Sequence, residues 1–220
     1  MTPQSGPSAR VVTAAGGEIL APFAPPSTIR WFRAGERCRD AEPGDLVLVA
    51  HGSDAAATIR FGERLDVWRL GGWRPRARTR RAELRRYTWC NHAAIVLKDN
   101  WLSEQAAGGN QVVPLATYAP KLYGVIHLDI SDEQREAVVR LARSCAGVGY
   151  GWVSIFGVIL DLVSGLRLSI GWGSRMTCST MSAYCLLACG LRPDKLIDSI
   201  LPADLARYFA AELPAAGISE

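Results

Sequence analysis

An α+β fold, an antiparallel sheet packed against helices, is what the sequence predicts, on three observations. Short apolar runs with β-branched residues, bounded by turn residues, recur between Leu46 and Ile130. A segment with helical spacing and a clear N-terminal cap follows at 131–145. A second helical segment runs from about Cys178 to Cys189, so strands precede helices instead of alternating with them.

The elements follow in chain order. Residues 1–42 read as a loosely ordered N-terminal extension, rich in Pro, Gly, Ser and Ala at its start, where Pro22, Pro25 and Pro26 break any helix. Ile29, Trp31 and Phe32 are expected to dock on the core. The domain proper spans 43–212. Pro43-Gly44-Asp45 turns into the apolar run Leu46-Val47-Leu48-Val49-Ala50, a buried strand. Residues 55–88 read as an insertion. Within it, Arg74 to Arg86 carries seven arginines, a candidate contact for an anionic polymer or membrane surface. A charge run is more often just a solvated, partly helical loop, and no aromatic residue interleaves with the arginines as single-stranded nucleic acid would require.

His92 to Leu97 is the next strand, Lys98-Asp99-Asn100 a turn, and Trp101 to Ala106 the returning strand. Gly108-Gly109-Asn110 and the residues after it give a further turn and strand, and Gly124 to Ile130 another strand. Ser131 with Gln134 forms a capping box, and Val138, Leu141, Ala142 and Cys145 make one apolar stripe. Thr177 is a plausible cap and Gly190 a stop for the helix that begins at Cys178. Pro202 opens a short final helix.

Composition narrows the function. At 220 residues and 49% hydrophobic, the chain can build one cored domain, and its net charge of +4 is mild. Six cysteines without a secretory leader imply reduced thiols and a cytoplasmic location by default. The apolar run Trp152–Leu160 is too short to span a bilayer of ~30 Å. No phosphate-binding glycine loop, G-x-S-x-G elbow or H-E-x-x-H helix occurs, and no cofactor is implied. Cys178, Cys185 and Cys189 lack the C-x-x-C pair or neighbouring His that would complete a tetrahedral metal site.

Thiol catalysis requires a thiolate, a base and a group that orients the base. Cys178 begins a helix, where the dipole favours an anion. Cys145 lies late in its helix, Cys185 and Cys189 lie in the body and at the end of theirs, and Cys38 is in irregular sequence; Cys90, two residues before His92, is the competitor. The base is His51, His92 or His127. Glu104 shares a face with His92 only if the intervening turn has three residues and not two.

In order and spacing, several segments resemble the circularly permuted NlpC-type papain-like proteins, which include the YiiX-like hydrolases and the lecithin:retinol acyltransferase group. The matching pieces are Gly44-Asp45-Leu46-Val47-Leu48, Asn91-His92-Ala93-Ala94-Ile95-Val96, Ser103-Glu104, Gly149-Tyr150-Gly151-Trp152, Thr177-Cys178-Ser179 and Leu201-Pro202-Ala203-Asp204-Leu205. The resemblance implies a papain-like fold and a thiol hydrolase acting on a peptide, amide or acyl ester, cell-wall peptide included. It implies Cys178 as nucleophile, His92 as base and Glu104 as the orienting group. It implies substrate contacts at Tyr150 and Trp152, and an oxyanion contact from the Cys178 N–H. Two other expectations stand beside it. The apolar 152–168 segment would hold an acyl chain in a lipid acyltransferase, and the Arg74–Arg86 run would serve a non-catalytic anion-binding module.

Overall fold

The computed structural model describes residues 27–50, 84–150, 175–193 and 200–212, with the stretches 10–12 and 18–20 and residues 82 and 197. Its strands are β1 (Arg10–Val12), β2 (Glu18–Leu20), β3 (Ser27–Phe32), β4 (Leu46–Val49), β5 (His92–Val96), β6 (Trp101–Ala106), β7 (Gly109–Pro114), β8 (Tyr123–Leu128), β9 (Gly149–Tyr150) and β10 (Arg175–Met176). The helices are α1 (Asp132–Ser144), α2 (Cys178–Ala188) and α3 (Pro202–Tyr208). Six strands form one sheet in the order β3-β8-β4-β5-β6-β7, and every neighbouring pair is antiparallel. The chain is therefore α+β, as the order of strands and helices predicts.

β4 lies inside the sheet, and all four of its residues are buried, as its unbroken apolar run requires. Alternate residues then divide into two cores. Leu46, Leu48, Ala93, Ile95, Ile126 and Leu128 pack under the three helices, with Val138, Met181 and Leu205. Val47, Val49, Ala94, Val96, Leu102 and Val125 face the other way, under Leu115 and Tyr118 of a single-turn 3-10 segment and beside Cys38.

The sequence reading left residues 1–42 outside the domain. Residues 27–32 instead pair along their whole length with β8, from Ser27↔Leu128 to Phe32↔Tyr123, and form the sheet's edge. The strand alternates partly buried Ser27, Ile29 and Trp31 with exposed Thr28 and Arg30, as an edge strand with one covered face does. What holds it is tertiary: the Trp31 ring lies over Gly124, where a Cβ would sit 3.4 Å away, and meets Trp89 edge-on at 4.6 Å.

Local chemistry sets the helix ends. Ser131 accepts from the Gln134 N–H, and the Gln134 side chain returns to the Ser131 N–H at 2.9 Å. At the start of α2, Thr177 Oγ1 accepts from the Thr180 N–H at 3.2 Å. Gly190, at φ +84, ends the turn after α2. An ion cluster centred on buried Asp45 joins α1 to the sheet. The Arg135 guanidinium reaches Asp45 at 3.0 Å and Glu42 at 3.1 Å, and donates to the carbonyls of Pro43 and Leu128. Among the described residues, no helix is long and apolar enough to cross a membrane.

Candidate active site

The β5–β6 hairpin decides the site's geometry. Its connection is a three-residue 3-10 turn, Lys98–Asn100, with Asp99 and Asn100 at φ near +58 and +57. Such left-handed conformations are tolerated best by Asn and Asp among non-glycine residues. The odd turn length puts Ala94 opposite Glu104 and Val96 opposite Leu102. His92 therefore shares a face with Glu104, and His92 Nε2 lies 2.6 Å from Glu104 Oε2. Both side chains are nearly covered, at 13% and 7% exposure.

Pairing between β5 and β6 stops at Ala94↔Glu104, although β6 remains paired to β7 as far as Ala106↔Gly109. Continued pairing would set Ala93 opposite Gln105. The strands separate there instead, and the Ala93 N–H donates to the sulfur of Cys178, as does the N–H of Ser179. α2 lies against β5 and β6, so its first residue reaches this gap. Cys178 and His92 share a side-chain hydrogen bond. With Nε2 engaged by Glu104, Nδ1 is the ring nitrogen left to the sulfur.

Electrostatics follow from these contacts. Burial opposes charge on His92, but the facing Cys178 thiolate and its hydrogen bond, then Glu104, outweigh it and hold the imidazole above its ordinary value. Burial likewise opposes a thiolate at Cys178, yet the His92 charge, its hydrogen bond and the Ala93 and Ser179 N–H groups bring the thiol below its ordinary value. Glu104 is also held low. Burial raises it, while His92, the Gln111 amide and the Lys121 charge lower it by more. Each of these shifts favours the charged form of its group: thiolate at Cys178, imidazolium at His92 and carboxylate at Glu104.

The remaining cysteines contrast with this one. Burial pushes Cys38, Cys145, Cys185 and Cys189 up. Cys90, the competitor in sequence, packs in the helix-side core, and its sulfur lies 3.9 Å from the Tyr87 carbonyl. His127 is engaged elsewhere, 3.3 Å from Asp45. His51 and Trp152 lie outside the described residues, as do the 152–168 segment and most of the Arg74–Arg86 run.

Tyr150 is placed by its backbone. β9 pairs in parallel with β10, Arg175 opposite Gly149 and Met176 opposite Tyr150, immediately before Thr177 and Cys178. The buried Gln105 amide anchors this pair by donating to the carbonyls of Val148 and Gly149 at 2.8 and 2.9 Å. Gly109 allows the approach: at φ +110, an added Cβ would come within 3.1 Å of the Val148 carbonyl.

Two contributors escape the sequence reading. Gln111 stands directly opposite Glu104 on β7 and donates to Oε1 at 2.5 Å. Tyr118 donates its hydroxyl to Glu104 Oε2 and meets the His92 ring edge-on at 6.0 Å. The register of the second hairpin would have identified Gln111. No local pattern marks Tyr118. Among the described residues, no group of three or more His, Cys, Asp or Glu is placed to hold a metal ion. Comparison of the sequence with protein-family models and with curated proteins returns no match.

Proposed function

We propose that this protein is a cysteine-dependent hydrolase that cleaves an amide or peptide bond through a thioester on Cys178. The observation that carries the reading is the Cys178–His92–Glu104 arrangement, with its 2.6 Å imidazole–carboxylate contact and a thiol drawn low at a helix start. The papain-like class belongs to the same reading, supported by the order of the motifs along the chain.

The chemistry proceeds in two halves. The Cys178 thiolate attacks the carbonyl carbon, and the carbonyl π electrons move onto its oxygen. The N–H at the start of α2 stabilises that oxyanion. Collapse of the tetrahedral intermediate expels the amine, which takes the proton from the His92 imidazolium, and leaves a thioester. Neutral His92 then removes a proton from water, and the resulting hydroxide attacks the thioester carbonyl. The carboxylic acid leaves and the Cys178 thiolate is regenerated beside imidazolium. Glu104 holds the ring with Nε2 toward itself throughout.

A panel of peptide, small-amide and lipid-ester substrates, with wild type and Cys178→Ala, tests this reading. Amide turnover with a hydroxylamine-trappable acyl group on Cys178 is expected, and none in the variant. Turnover confined to lipid esters, with the acyl chain passed to an acceptor other than water, would replace hydrolysis by acyl transfer. Turnover that survives Cys178→Ala would sink both.

A further inference from the structure

We infer that Gln111 and Tyr118 are positioning residues for this reaction: together they hold Glu104 as a carboxylate, in the resting site and above all in the half of the cycle in which His92 is neutral. This rests on the reading above and concerns a step at which that reading would otherwise falter. A carboxylate with 7% exposure is costly to keep charged without a partner. While His92 is imidazolium, the partner is present. Once the imidazolium has given its proton to the leaving amine, the partner has lost its charge. A carboxyl left alone would then take up a proton, and Nε2–H would have no acceptor to fix the ring.

The site contains what prevents this. Gln111 Nε2 occupies Oε1 at 2.5 Å, and the Tyr118 hydroxyl donates to Oε2, the oxygen that also meets His92. Neither donor changes protonation during the reaction. Lys121 adds a cation: its Nζ lies 5.3 Å from the centre of the Tyr118 ring, and its charge favours the ionised form of Glu104. The groups that bear on Glu104 thus come from four places: His92 on β5, Gln111 on β7, Tyr118 in the 3-10 turn and Lys121 just before β8, with Cys178 beyond the imidazole. Gln111 is itself exposed, so it can be changed with little disturbance to the core.

The test needs no substrate. The rate of Cys178 carboxamidomethylation by iodoacetamide is followed by peptide mass spectrometry from about pH 4 to about pH 9. Wild type, Gln111→Leu, Tyr118→Phe and Gln111→Lys are compared, with folding checked by circular dichroism. In the first two variants the carboxyl titrates within this range, and the acid limb is expected to move up by about one pH unit, with the plateau rate kept within about twofold. Gln111→Lys restores a donor and is expected to return the limb to its wild-type position. A packing role would give the opposite order, because Leu is the milder change for packing. Acid limbs unmoved in both variants overturn the inference, as does a fall in plateau without a shift. If Tyr118→Phe fails to fold, the two Gln111 variants decide. A wild-type profile centred on the ordinary thiol value overturns the acyl-transfer reading itself, so the two failures are distinguishable.

Discussion

At the scale of single residues, what separates Cys178 from its neighbours is the set of groups facing the sulfur. Its burial resembles theirs: Cys145, Cys185 and Cys189 are as covered as Cys178, and burial alone pushes a thiol up. The sequence made Cys178 legible through its helix start, and the neighbouring Thr177 cap was legible too. The Ala93 N–H was not, because a backbone donor becomes available only where pairing between two strands stops. The charged trio also makes stability depend on pH. His92 is raised from 6.5 to about 10, so its stabilising contribution is complete below pH 6.5 and is lost as pH rises through about 10. Glu104 is lowered from 4.5, so its contribution is complete above pH 4.5 and is lost as pH falls through its lowered value. The urea midpoints of wild type and Glu104→Gln are therefore expected to differ most between pH 4.5 and pH 6.5 and to converge on both sides. A difference independent of pH would count against the charged pair.

At the scale of elements, the site depends on the parity of one turn. The alternation of the two flanking strands was plain in sequence, but the choice between a two- and a three-residue turn was not. It rests on Asp99 and Asn100 accepting positive φ, a preference weak enough to leave both turns open beforehand. Removing Asp99 is expected either to turn the Glu104 side chain to the opposite face or to shift the whole strand. In both cases Cys178 labelling at neutral pH should fall by about tenfold or more, as an imidazole without its carboxylate supports the thiolate less. Labelling unchanged in a folded deletion variant would show that Glu104 plays no part in activating the thiol. Gln111 was hidden for a related reason. Identifying it required a second register, set by the two-residue turn between Ala106 and Gly109, on top of the first.

At the scale of the whole molecule, the site joins two cores. His92 and Glu104 belong to the face shared by Val96, Leu102 and Tyr118, while α2 brings Cys178 from the helix side. Whatever fixes the helices to the sheet therefore fixes the sulfur to the imidazole. The Asp45–Arg135 pair is one such tie, with side-chain exposures of 1% and 11%. Arg135→Met leaves the buried Asp45 carboxylate to His127 and the N–H groups of Glu42 and Leu128, without the guanidinium, and is expected to cost about 3 kcal/mol in urea unfolding. Adding Asp45→Asn should recover part of that loss, and a double variant no better than the single one would refute this account. The motif Pro43-Gly44-Asp45 was visible as a turn, but its role was not, because the partner helix lies ninety residues away. β3 was missed for the same physical reason. Its pairing partner is β8, nearly a hundred residues on, and the alternation of Ile29 and Trp31 with Thr28 and Arg30 does not say which strand it pairs with.

The gap between β5 and β6 has one more consequence. A sheet ordinarily conceals its amide protons by pairing them with one another, so their exchange with solvent reports only unfolding. The amide of Ala93 is tied instead to the Cys178 sulfur, whose charge changes in the proposed reaction. It is thus a native gauge of the state of that sulfur, readable without dye or label. Its proton should exchange slowly while Cys178 is a thiolate and faster once that sulfur is alkylated or acylated, with Ile95 on the same strand as the unmoving reference. Equal protection of Ala93 before and after alkylation would mean that the sulfur does not hold that amide.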